Sequence, residues 1–144
     1  MKVQQPTMGN AMQLTTLRFF VLPAALWAVP ALAGELSAED IRREIVGRHV
    51  FLAVPLGGEF PLNYHADGRV DGDGDAIGLG RLAKPTDSGR WWIDGDRLCQ
   101  KFESWYDGKP MCFVLTRTGE RQVAWERDNG DTGTARIGGR IAAR

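Results

Sequence analysis

From Arg48 onward, apolar and polar residues alternate in short runs, and turn signals rich in Gly, Asp and Asn separate the runs every 8–12 residues or so. This spacing predicts strands over Arg48–Val54, Glu59–Ala66, Arg90–Asp94, Arg97–Glu103, Pro110–Arg117, Gln122–Asp128 and Thr132–Ile137. Asp71–Gly80 reads as weakly structured and Lys84–Gly89 as a loop. The links are too short for crossover helices, so neighbouring strands pair antiparallel. Before them, Ser37 is an N-cap, Glu39 and Asp40 sit in a first turn, and Ile41 and Ile45 make one apolar face ending near Gly47. The expected fold is all-β with one short N-terminal helix. It is an antiparallel meander of about eight strands, curled into a small barrel or half-barrel, with the helix over one opening or edge.

The hairpin around Cys99 and Cys112 has a definite expected register. If the two cysteines face each other, Leu98 faces Phe113, Gln100 faces Met111 and Phe102 faces Lys109. Leu98, Phe102, Met111, Phe113 and Leu115 then share the core face, and the cysteines staple the more solvated side. A three-residue loop, Thr118–Glu120, puts Val123 opposite Leu115 and Trp125 opposite Phe113. It is preferred over a two-residue loop because it keeps the apolar face continuous.

The start of the chain has a different pattern. Lys2 and Arg18 precede the apolar run Phe19–Leu32, no acidic residue comes before Glu35, and Ala31-Leu32-Ala33 puts small residues at the −3 and −1 positions of a signal-peptidase site. The run is short for a membrane span and carries two prolines. Residues 1–33 are therefore expected to be a signal peptide, and residues 34–144 a single barrel-like domain without a stable membrane span. The expected location is the periplasm or the exterior of the cell.

Composition narrows the function. All 18 acidic residues and every basic residue except Lys2 and Arg18 lie beyond residue 33, leaving that part slightly acidic. No basic surplus exists to hold a phosphate backbone, so nucleic acid is not an expected partner. Two cysteines in an exported chain predict a Cys99–Cys112 disulfide.

Candidate chemistry is sparse. Asp71, Asp73 and Asp75 imitate the start of a calcium loop, but Ala76 stands where the sharp turn needs Gly and Leu82 where a bidentate Glu is needed. The run reads as a solvated turn. His49 and His65 lack a nucleophile in suitable context. Most aspartates lie beside glycine in turns, where Asp is favoured for its own hydrogen bonding. No residue is assigned a catalytic, cofactor-binding or metal-binding role. Trp91 and Trp92, adjacent on a strand, must point to opposite faces. Trp105 and Tyr106, at a hairpin tip, are the candidate exposed contact, with folding back over the sheet edge as the alternative.

Gly89-Arg90-Trp91, the Gly95-Asp96 turn, Leu98-Cys99 and a second Cys at Cys112 resemble a pattern found in small exported bacterial proteins of unknown function. The resemblance covers most of residues 34–144 and implies no activity and no site residues. A looser similarity is to small periplasmic barrels that inhibit lysozyme. The functional expectation is a non-enzymatic binding module for a small apolar ligand or an envelope protein. Its rivals are an inhibitor of an extracellular or envelope enzyme, acting through Glu103–Pro110, and an envelope hydrolase. The large inward residues predict at most a small pocket, at the mouth near the helix.

Overall fold

The computed structural model describes residues 2, 3, 9, 33–55, 57–74 and 85–142. Ala31–Arg144 forms one compact unit that holds every element below. The Phe19–Leu32 run lies outside the described residues.

The helix α1 spans Ala38–Glu44. Ser37 caps it: its hydroxyl accepts from Asp40 N, and the Asp40 carboxylate accepts from Ser37 N. This capping box satisfies two backbone donors that the first turn leaves open. Gly47, at φ +75°, turns the chain out of the helix. Its N–H donates to Tyr64 O and its carbonyl accepts from Ile141 N, tying the helix exit to two strands.

Eight antiparallel strands follow: β1 Arg48–Ala53, β2 Glu59–Tyr64, β3 Arg69–Asp73, β4 Thr86–Asp94, β5 Arg97–Phe102, β6 Met111–Gly119, β7 Gln122–Arg127 and β8 Thr132–Arg140. Each pairs with its neighbours in sequence, and β1 also pairs with β8, so the barrel is closed. Closure leaves no long edge open to another chain. Beyond Phe113 the β6 edge outruns β5. Residues 34–36 run alongside it there, through Leu36 N to Leu115 O and Arg117 N to Gly34 O.

Two readings change at β3 and β4. Asp71 and Asp73 belong to a regular strand, not to a turn, and β4 begins at Thr86, inside the expected loop. Apart from Thr86, residues 71–73 and 86–89 are Asp, Gly and Ser, which propensity assigns to turns. Pairing on both sides supplies what propensity does not. Asp75 and Leu82 lie outside the described residues.

The cysteine hairpin has the expected register, with Leu98 opposite Phe113, Cys99 opposite Cys112 and Gln100 opposite Met111, and the disulfide is present. Such a short closed loop is worth about 3 kcal/mol in the loop-entropy account. Phe102 is not opposite Lys109, because a helical turn at Trp105–Gly108 intervenes. Although the bond lies on the outward side, Cys99 is fully buried, so that side is less solvated than expected. Between β6 and β7 the turn is at Glu120-Arg121, with a bulge near Thr118, and Leu115 faces Trp125 while Arg117 faces Val123. The expected register is therefore displaced by two residues. A displacement of two keeps every side chain on its face, whereas one would have inverted them all.

Alternation places Val50, Leu62, Val70, Leu98, Phe102, Met111, Leu115, Val123 and Ala135 inside. Trp91 points inward and donates from Nε1 to His65 O, while Trp92 stays on the outer face.

Candidate functional site

The two ends of the barrel differ. At the end where β1 begins, Ile41 of α1 and Ile45, the residue that caps its C-terminus, are buried as a plug. The Glu44 carboxylate meets Arg117 side by side, at 2.7 Å and 2.5 Å, and clamps the helix to β6. Those bonds hold the Glu44 carboxyl below the usual carboxylate range against a smaller opposing effect of burial.

The opposite end carries the connections β1–β2, β5–β6 and β7–β8. The β5–β6 connection folds inward there. Asp87, at the start of β4, accepts from Ser104 N at 2.8 Å, Ser104 Oγ at 2.9 Å and Trp105 N at 2.7 Å. Burial raises the Asp87 carboxyl, but these bonds together outweigh it and hold the group below its ordinary range. The Trp105 indole then lies over Gly72, where a Cβ would come 2.6 Å from the ring. It packs on Phe60 and Phe102, with ring centres 5.3 Å and 5.0 Å away. Trp105 is thus part of the wall rather than an exposed contact. The Asp87 anchor carried no sequence signal, because its partners are seventeen residues away in a segment read as a plain turn.

Tyr106 is the exposed member of the pair, at 56 %. Tyr106 and Asp107 are left-handed, at φ +56° and +58°. A bulky residue in that conformation is a strained exception and persists only where its surroundings hold it. The Arg127 guanidinium, 5.3 Å from the centre of the Tyr106 ring, is one such support.

Between plug and turn lies a cavity of about 150 Å³. Its wall is largely apolar and aromatic, including Leu62, Phe102, Phe113 and Trp125. Ile45 bounds it at the helix end, and exposed Tyr106 and Asp131 bound it at the other. The small size agrees with the expectation from bulky inward residues. Its mouth does not: it faces away from the helix, because two buried isoleucines close that end. Inside, Tyr64 donates to Gln100 Oε1 at 2.7 Å, and Gln100 Nε2 donates to Met111 S. Burial pushes the Tyr64 phenol well up, so it stays a protonated donor. Gln100, 3 % exposed, was legible as the one polar residue in the inward series Leu98, Gln100, Phe102.

The histidines lie elsewhere. His49 bonds Asn63 at 2.6 Å, and Asp71 bonds both Asn63, at 2.7 Å, and His65, at 2.5 Å. By alternation His49, Asn63 and Asp71 form an outward row across β1, β2 and β3, away from the cavity. Among the described residues, the one grouping of metal-ligand type is Asp94 with Cys99 and Cys112, and its sulfurs are taken by the disulfide.

Comparison with protein-family models, with curated proteins and with solved structures finds no match.

The two clamped carboxylates predict an acid-sensitive fold. A carboxyl whose folded pKa lies below its unfolded one stabilises the protein above the unfolded value, and that contribution is lost as the pH falls through the folded one. Glu44 and Asp87 both belong to this class. The urea midpoint is expected to fall as the pH is lowered from about 5 towards 3. The double substitution Glu44→Gln, Asp87→Asn is expected to flatten that slope. An unchanged slope would show that neither clamp is coupled to folding.

Proposed function

We propose that this chain is an exported, non-enzymatic binding module that takes a small apolar ligand into its barrel from the end opposite the helix. The observation that carries the reading is the aromatic-lined cavity of about 150 Å³ between the α1 plug and the Tyr106 turn. Export is supported by the Phe19–Leu32 run with Ala31-Leu32-Ala33 and by the disulfide. Among the described residues, no helix is long and apolar enough to cross a membrane. The Gly89–Cys99 motif fits the same proposal, a small exported protein of the kind it resembles.

The size of the cavity limits the ligand. An apolar cavity of about 150 Å³ accommodates a molecule such as benzene, far short of a lipid chain. Toluene is therefore expected to raise the melting temperature of the purified protein in a concentration-dependent way, as binding to the native state requires. Palmitate is expected to leave it unchanged. Stabilisation by palmitate alone would contradict the reading. The exported form is expected to begin at Gly34, as read from intact mass.

Exposed Tyr106 on a strained turn favours a second reading, inhibition of an extracellular enzyme by insertion of that turn. Under it, Tyr106→Ala abolishes capture of the enzyme and leaves toluene binding intact.

A further inference from the structure

The outer face of β3, β4 and β5 carries a row of three cations. Arg69 stands opposite Arg90, and Arg90 stands opposite Lys101. Neighbouring strands lie about 4.8 Å apart, so the row spans about 10 Å across the sheet. Alternation turns all three away from the barrel interior, because Val70, Trp91 and Phe102 beside them point inward.

This arrangement works against stability. Like charges directly opposite each other on adjacent strands repel, and here two such pairs share Arg90. Arg90 and Lys101 are exposed, and neither is in an ion pair or a side-chain hydrogen bond among the described residues. Asp67, which accepts from Arg69 N at 3.0 Å, is near enough to feel the Arg90 charge but makes no ion pair with it. Arg69 is the tethered member of the row. Its guanidinium lies 3.3 Å from His65 Nε2 and 3.9 Å from the Asp71 carboxylate, yet its side chain stays 51 % exposed. Asp71 itself is already bonded by Asn63 and His65.

The row borders a shallow hollow. Arg69, Ser88, Arg90, Lys101 and Glu103 line it. Ser88, two residues before Arg90 on the same face of β4, adds a hydroxyl. Three cations against the one carboxylate of Glu103 leave the lining with a surplus of two positive charges. A phosphate monoester carries roughly −1.5 to −2 near neutral pH and offers three strong acceptor oxygens. It matches both the surplus and the number of cations. A carboxylate, with one charge and two oxygens, leaves a cation unmet.

We propose that this hollow binds a phosphate monoester, whose oxygens accept from Arg90 and Lys101, with Arg69 as the third cation. The bound anion relieves the repulsion within the row. The hollow lies on the other side of the sheet from the apolar cavity, so the site is independent of what the cavity holds.

Inorganic phosphate is the first probe. It is titrated into the protein at constant ionic strength, because salt screens exposed charges, and followed through the backbone amide resonances of Ser88, Arg90 and Lys101. A saturable shift centred on these residues is expected, with acetate binding about tenfold more weakly. Arg90→Gln is expected to weaken phosphate binding about tenfold and, in phosphate-free buffer, to raise the urea midpoint, since it removes both like-charge pairs. An arginine with a merely structural role would lower that midpoint. Should Arg90→Gln not fold, Lys101→Gln carries the same test through the outer pair. Glycerol 3-phosphate and phosphatidylcholine vesicles containing phosphatidic acid present the same monoester in solution and on a membrane. Binding of glycerol 3-phosphate supports the proposal with a soluble ester as ligand, and binding of the vesicles alone supports it with a lipid headgroup. Equal binding of phosphate and acetate, or phosphate binding unchanged in Arg90→Gln, would overturn it.

Discussion

Gly89→Ala is expected to abolish the folded barrel or to cost roughly 4 kcal/mol or more, a size seen only where a named feature of the fold is broken. A Cβ at Gly89 would lie 1.9 Å from Lys101 O and 2.7 Å from Phe102 Cα. Both obstacles are backbone, so no rotamer change relieves them. The glycine stands opposite Phe102 where β4 and β5 approach each other, just before the Glu103 N to Ser88 O bond that leads into the Trp105 turn. A small domain of this kind has only about 5–15 kcal/mol in hand. Gly139→Ala is the matched control: a Cβ there meets nothing within 4 Å, and its effect is expected to stay within about 1 kcal/mol. Urea denaturation of both variants checks the pair, and similar midpoints would contradict the close approach at Gly89.

Phe102→Ala is expected to cost about 3–5 kcal/mol, the range for emptying a buried phenylalanine site. Phe102 is 2 % exposed and its ring supports both Trp105 and Tyr106. Because it also lines the cavity, its loss enlarges the interior. The variant is expected to be stabilised by naphthalene, which the wild-type cavity excludes. A cost under about 1 kcal/mol would mean that the turn is not anchored on this ring.

Much of the fold was legible because period-two alternation survives errors of register. Leu115, Val123 and Trp125 were placed on one face, and they share it, although the pairing between β6 and β7 is displaced by two residues. The bulge near Thr118 that causes the displacement leaves no mark in a pattern of apolar positions. The helix was legible through its cap, Ser37 with Asp40, and the disulfide through cysteine number and hairpin geometry. β3 was not, because Arg69–Asp73 is short and three of its five residues are Asp or Gly, which propensity assigns to turns. Its strand character comes from the two neighbours that pair with it.

The site was less legible than the fold. The sequence placed Trp105 and Tyr106 together at a hairpin tip, and the structure separates them: Asp87 pulls Trp105 into the wall and leaves Tyr106 outside. No local rule reports an acceptor supplied from seventeen residues away. The mouth was expected beside the helix because a helix over a barrel end is easily read as a loose lid. Ile41 and Ile45 instead fill that end, and the opening moves to the loops on the other side. Trp125 was expected on the core face, and it lines the cavity. Arg127 carried no reading in the sequence, and only its pairing opposite Phe113 puts it on the same inner face of β7.

The central claim is that the barrel encloses one small apolar cavity opening away from the helix. Crystals pressurised with xenon test it most directly, since xenon enters apolar cavities of this size and scatters strongly. The account predicts a single well-occupied xenon site inside the barrel, between Leu62, Phe113 and Trp125. Xenon bound only on the outer surface, or at the helix end between α1 and the strands, would contradict it.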